Sequence, residues 1–186
     1  MRSPILLFMT SRSRSSMIAG VFAAHGVNWG GVQAQSAGYD TFENQAVKQV
    51  LKKHYGLPFC EFAKASGDFL LDLWPIVPQN ETWMAKTGIE YFDVFQSLAP
   101  FNIYLTRDPE DVARSICQKR PDAQYEPALK AAKWRFAAMR ARAAEYGGVF
   151  IDTDRVVKGD FTQLREAMEY CGVLFEENKA KAVIKR

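Results

Sequence analysis

Over residues 4–26, PILLFMTSRSRSSMIAGVFAAHG, an unbroken apolar run gives way to serines and arginines, and these give way to an apolar face at helical spacing. Ile5 through Met9 suits a strand covered on both faces, as at the centre of a parallel sheet. Met17, Ile18, Val21 and Phe22 mark a helix that Gly26 closes. Thr10, Ser11, Arg12, Ser13, Arg14, Ser15 and Ser16 therefore line the turn from a strand exit into a helix N-terminus. Unpaired N–H groups and the positive end of the helix dipole gather there with hydroxyls and guanidinium groups, and together they suit an anion. An ordinary N-cap accounts for any one of these serines. Two arginines crowded at one strand exit repel each other unless an anion or a carboxylate lies between them, which favours the anion site.

The chain as a whole sets the limits of that reading. Its 186 residues suffice for one domain over 1–186 with a substantial core and are too few for two comfortable ones. Lys and Arg number 24 against 21 Asp and Glu, so no overall basic field points to a nucleic-acid partner. Cys60, Cys117 and Cys171 are odd in number and widely spaced, which argues for free thiols in a reducing compartment and against zinc or a disulfide frame. No apolar run reaches the length of a membrane span and no signal-peptide pattern opens the chain, so the expectation is a cytoplasmic protein without a membrane partner.

Further along, residues 27–39 read as a functional loop. Asp40 and Glu43 stand at capping-box spacing before a helix over 41–54. A helix over 61–74 follows, weakened by Gly67, then a strand over 82–86, a helix over 89–98 and a strand over 102–106 that runs into Arg107. Asp108 caps a helix with Pro109 at its first position, reaching Lys119. Residues 121–127 read as a linker, 128–146 as a long helix, 149–152 as a fourth strand and 161–170 as a last helix. This alternation indicates an α/β doubly wound, mainly parallel sheet, with ligands beyond the carboxyl ends of the strands. Three strand exits then carry polar groups toward one crevice: the Ser/Arg loop, Lys86 and Arg107.

The pattern resembles the sulfotransferases that use 3′-phosphoadenylyl sulfate (PAPS), over most of the chain. Arg12, Ser13, Arg14, Ser15 and Ser16 match the family's R-S-G-S/T-S/T loop, and Arg107, Asp108, Pro109, Val112, Ala113 and Ser115 reproduce R-D-P-x-x-V-A-x-S in full. Gly38 to Asn44, GYDTFEN, is similar to a segment of bacterial members, Lys86-Thr87 is similar to their K-T element, and Phe150 to Asp154 looks like the family's closing strand. The resemblance implies a three-layer P-loop-type fold with a central sheet of four to five strands flanked by helices. It further implies that the loop from Ser11 to Ser16 holds the 5′-phosphosulfate, that Arg107 and Ser115 hold the 3′-phosphate, and that Arg12 and Lys86 stand by the transferred sulfuryl group. No metal is expected, and the product would be 3′-phosphoadenosine 5′-phosphate (PAP).

Cytosolic members have a histidine two residues after the lysine of the K-T element, where this chain has Gly88. By resemblance to bacterial members Glu43 is the candidate base, against the capping box as its rival explanation, while His25 and His54 fall near helix ends where a cation is commonplace. Arg14 stands at the family's glycine, either crowding the sulfate or adding a contact to it. A short chain implies an acceptor pocket built economically or completed by another subunit. Trp29, Tyr39, Phe42 and Trp74 lie where they would line that pocket or belong to the core. The leading expectation is transfer of a sulfuryl group to a hydroxyl or amine of a small-molecule or carbohydrate acceptor. A sulfotransferase-like nucleotide- or protein-binding domain without turnover is the alternative. A P-loop kinase or NTPase is disfavoured because G-x-x-x-x-G-K-S/T is absent.

Overall fold

The structure, a computed structural model, describes residues 3–30, 35–36, 39–40, 42, 44–56 and 60–185. It opens with β1 (Ile5–Met9) and α1 (Ser15–Ala24), followed by a two-residue antiparallel pair, β2 (Gln35–Ser36) and β3 (Tyr39–Asp40). Next come α2 (Gln45–Tyr55), α3 (Gly67–Leu73), β4 (Met84–Gly88) and the short α4 (Phe92–Phe95), which 3₁₀ turns flank. β5 (Phe101–Thr106), α5 (Pro109–Lys119) and α6 (Tyr125–Tyr146) lead to β6 (Val149–Asp152), and α7 (Thr153–Val157), α8 (Thr162–Tyr170) and α9 (Glu177–Ile184) complete the order.

Among the described residues the main sheet has four strands in the order β4-β1-β5-β6, all parallel. Side chains alternate across it with a period of two. Leu6 and Phe8 face one cluster with Tyr104, Phe92, Phe95, Phe136 and Met139. Ile5 and Leu7 face the other with Ile103, Leu105, Ile151, Ile18, Phe22 and Met168. Both faces are thus covered by helices, giving the three-layer α/β architecture that the sequence implied. Phe8, Phe92 and Tyr104 form a ring cluster in which Phe8 lies tilted against Phe92 and stacked on Tyr104, with centroids at 5.1 and 5.6 Å. Truncating a fully buried residue such as Leu7 costs about 2–5 kcal/mol. Cys171 is buried and its burial pushes the thiol up to about 12. No helix among the described residues is long and apolar enough to cross a membrane.

Several elements depart from the sequence reading, each for a physical reason. The second strand of the sheet is Met84–Gly88 rather than 82–86, because pairing with β1 sets its register, Leu7 opposite Lys86. Lys86 therefore lies inside a strand, not at its exit. The helix expected over 61–74 shrinks to Gly67–Leu73, since Ala63 N donates to Glu90 O at 2.7 Å and holds that stretch out of a helix. The expected 89–98 helix breaks into 3₁₀ and α turns. The supposed linker before α6 is partly helix: α6 starts at Tyr125 and accommodates Pro127 in its first turn, where the missing N–H costs little. Helix α2 begins after Asn44, whose side chain accepts from Val47 N at 3.1 Å, so Asp40 is not its cap. Glu43 itself lies outside the described residues.

Candidate active site at the strand exits

The turn between β1 and α1 is tight and strained. Ser13 N donates to Thr10 O at 3.2 Å, and Arg12 and Arg14 take φ of 65° and 57°. A left-handed backbone costs a residue with a side chain about 1–2 kcal/mol. The family's loop has glycine where Arg14 stands, and glycine adopts this region freely. Arg14 is the N-cap of α1 yet makes no side-chain capping bond, and no acidic residue occupies the first turn of the helix. The dipole and the first-turn N–H donors of α1 are thus turned to the loop with no acidic side chain of the helix's own first turn to quench them.

Side chains from four elements converge on this turn. Arg12 Nε donates to Ser115 Oγ on α5 at 3.1 Å. Arg107 Nη1 donates to the carbonyl of Arg12 at 3.0 Å. Lys86 Nζ donates to Ser16 Oγ at 3.0 Å, reaching from inside β4 because it shares the sheet face that carries α1. Ser15 is buried and Ser11 is exposed at the rim. The parts of the predicted site that the structure describes are therefore brought together, from positions up to 103 residues apart.

One member was not anticipated. Arg14 Nη1 pairs with Asp154 Oδ1 and lies 3.4 Å from Thr153 O, while Arg107 Nε lies 3.5 Å from the same Asp154 oxygen. Asp154 sits in the first turn of α7, its backbone N bonded to the Asp152 side chain at 2.9 Å. Crowded arginines demanded a carboxylate or an anion, but nothing local in the sequence chose this one. Asp111, in the first turn of α5, is held below the ordinary carboxylate value chiefly by the hydrogen bond from Arg114, with Arg107 and Arg14 adding to the positive field.

Two buried polar atoms at the site make no hydrogen bond: Ser13 Oγ, and Arg107 Nε, which is only within ion-pair range of Asp154 at 3.5 Å. A buried donor left unsatisfied costs about 1–3 kcal/mol, and an anionic ligand would offer it an acceptor. The donor set therefore fits a phosphorylated or sulfated ligand. No group of acidic, histidine or cysteine side chains suited to a metal occurs among the described residues.

Other residues weighed from the sequence are committed elsewhere. His25 binds Val21 O at 2.7 Å and accepts from Glu176 N at 3.0 Å, clipping α1 to the start of α9. His54 pairs with Asp72 at 2.8 Å. Trp29 packs edge-on against Phe42, and both join the α1 side of the core. Trp74 is half exposed, and the side chain of Tyr39 lies outside the described residues. At Gly88 an added Cβ would collide with Oε2 of Glu90. That buried carboxylate is held by Arg135 at 2.7 Å.

A parallel sheet between two helical layers, with a cationic strand–loop–helix turn at the exit of its second strand in spatial order, defines a three-layer α/β protein. Solved structures narrow the class, because the fold is that of the sulfotransferases. The sulfotransferase domain of a Synechococcus olefin synthase matches with TM-score 0.56 at 14% identity, over 96% of this chain and 76% of its own. Mouse sulfotransferase SULT7A1, solved as a complex with PAP, matches with TM-score 0.60 at 12% identity, over 98% of this chain and 63% of its own. Sulfotransferase STF1 of Mycobacterium tuberculosis matches with TM-score 0.55 at 9% identity, over 100% of this chain and 71% of its own. No family model and no curated protein matches the sequence.

Proposed function

We propose that the chain is a sulfotransferase that moves a sulfuryl group from PAPS to a hydroxyl or amine of a small-molecule or carbohydrate acceptor. The observation that carries this reading is the convergence of Arg12, Lys86, Arg107 and Ser115 on one strained loop at a helix N-terminus. Arg107 and Ser115 would hold the 3′-phosphate, and the loop from Ser11 to Ser16 the 5′-phosphosulfate. The donor supplies the sulfuryl group. Arg12 and Lys86 provide fixed positive charge where negative charge builds on the leaving side, and such preorganised charge stabilises a transition state without reorganisation. Holding acceptor and donor in line contributes the remainder. Glu43 remains the candidate base on the strength of the resemblance. The PAP complex of the mouse relative agrees with this choice of nucleotide.

Calorimetry tests the reading directly. PAP binds more tightly than ATP without added magnesium, and Arg107→Ala removes most of that difference. Equal affinities would overturn it. Transfer of labelled sulfate to members of a broad acceptor panel then establishes turnover. One observation favours a second reading, nucleotide binding without turnover: the space beside Gly88 is taken by Glu90, and that carboxylate is occupied by Arg135. PAP binding without transfer to any acceptor supports it.

A further inference from the structure

Two guanidinium groups from different strand exits converge on a single carboxylate oxygen. Arg14 pairs with Asp154 Oδ1, and Arg107 Nε approaches the same atom to 3.5 Å. One arginine hydrogen-bonded to an anionic oxygen with a second at ion-pair distance is the charge arrangement that a phosphate or sulfate oxygen would also meet here. Solvent and ligands have access, since the side chain of Asp154 keeps 25% of its exposure and that of Arg14 keeps 31%. The backbone of the aspartate is placed by its own turn, with Asp152 accepting from the Asp154 N–H. Arg14 is correspondingly directed to residues 153–154 rather than across the loop.

We propose that Asp154 is an internal counter-ion of the nucleotide site, standing where a ligand anion would engage Arg14 and Arg107 and lowering the affinity for polyanionic nucleotides so that they leave readily. This rests on the nucleotide reading given above. A ligand that engages these arginines must share them with Asp154 or displace it, and its repulsion from the carboxylate grows with each charge it carries. Asp154 thus acts through Arg14 and Arg107 as a positioning residue, and it tunes release of the more highly charged product without touching the reacting atoms. The clearest signature is a charge-dependent gain in affinity when the carboxylate is neutralised. A purely structural role would instead weaken all ligands together.

The experiment compares wild type with Asp154→Asn and, as a second variant, Asp154→Ser, after thermal unfolding has verified that each is folded. PAP, adenosine 5′-phosphate and inorganic pyrophosphate are titrated calorimetrically at one fixed ionic strength, because salt screens the effect. Both variants bind PAP about tenfold more tightly than wild type, and adenosine 5′-phosphate by a smaller factor. Rapid mixing shows PAP dissociating more slowly from them. Unchanged or weaker PAP binding by the variants, with PAP still bound by wild type, overturns the counter-ion role and leaves the nucleotide reading intact. If wild type binds no PAP while the variants bind pyrophosphate more tightly than wild type does, the nucleotide reading falls and the counter-ion role stands. Absence of binding by every protein to all three ligands overturns both.

Discussion

Two carboxylates in this molecule receive arginines, and their surroundings differ in kind. Glu90, on the 3₁₀ turn after β4, has a side chain 5% exposed, and Arg135 from α6 closes over it from a side chain 16% exposed. Asp154, on α7, is 25% exposed and divides its attention between Arg14 and Arg107. The first pair is shut in, with short contacts. The second is open, and its Arg107 also reaches the carbonyl of Arg12, whose own side chain holds the Ser115 hydroxyl. A buried pair cannot exchange a partner without stranding a charge, so it serves architecture. An open pair exchanges its partner for a ligand at little cost in stability. The contrast separates the sheet's β4 edge, where ions tie a turn to a helix, from the exits of β1, β5 and β6, where the ions stay open to solvent.

The largest test of this contrast is stability. Glu90→Gln removes the carboxylate charge from this buried pair and lowers the unfolding free energy by about 3–5 kcal/mol, measured by urea denaturation. Asp154→Asn costs less than about 1 kcal/mol in the same assay. Pairing Glu90→Leu with Arg135→Met restores most of the loss, since apolar groups of similar volume replace a buried pair at near-neutral cost. Comparable losses for Glu90→Gln and Asp154→Asn would erase the distinction.

A smaller effect appears in binding. Ser115→Ala removes the hydroxyl that accepts from Arg12 and that the resemblance assigns to the 3′-phosphate. One hydrogen bond to a charged group is worth about 1.5–3 kcal/mol, so PAP affinity falls roughly tenfold or more. Adenosine 5′-phosphate, which lacks the 3′ group, loses less. Equal losses for the two nucleotides would place Ser115 in service of the loop rather than of the ligand.

Strands β1, β5 and β6 were legible from sequence and β4, at one edge of the sheet, was misplaced, for a reason visible in the strands themselves. β1 and β6 keep the bounds that their apolar runs predict, and β5 begins one residue early. Each is a short hydrophobic stretch that needs no partner to be recognised. β4 ends in Thr87 and Gly88, which lie past the predicted 82–86 and become strand only because β1 pairs with them. Helix α9 was missed because among its side chains only Ala180 is buried, so it has hardly an apolar stripe to read. The same division holds at the site. Arg107 and Ser115 were legible because they sit in one contiguous motif, and the Ser/Arg loop because strand, turn and helix signals meet there. Asp154 was not, since its partner Arg14 is 140 residues away and its neighbour Asp152 already explains an acidic residue as a helix cap.

The smallest predicted change is the sharpest probe of the open pair. Arg14→Gly relieves a left-handed backbone worth about 1–2 kcal/mol and adds chain entropy to the unfolded state worth about 0.5–1 kcal/mol. These oppose each other, so the net change is governed by what the contact with Asp154 contributes. For an exposed pair that is at most about 1 kcal/mol, and urea unfolding of Arg14→Gly lies within about 1 kcal/mol of wild type. Repeating the substitution in an Asp154→Asn background closes a double-mutant cycle and isolates the pair from the backbone effect. A coupling near zero to 1 kcal/mol, set against several for Glu90 with Arg135, keeps the two regions distinct. A coupling of about 3 kcal/mol would make Asp154 a fixed part of the architecture like Glu90, and a ligand anion would then have to bind beside it rather than in its place.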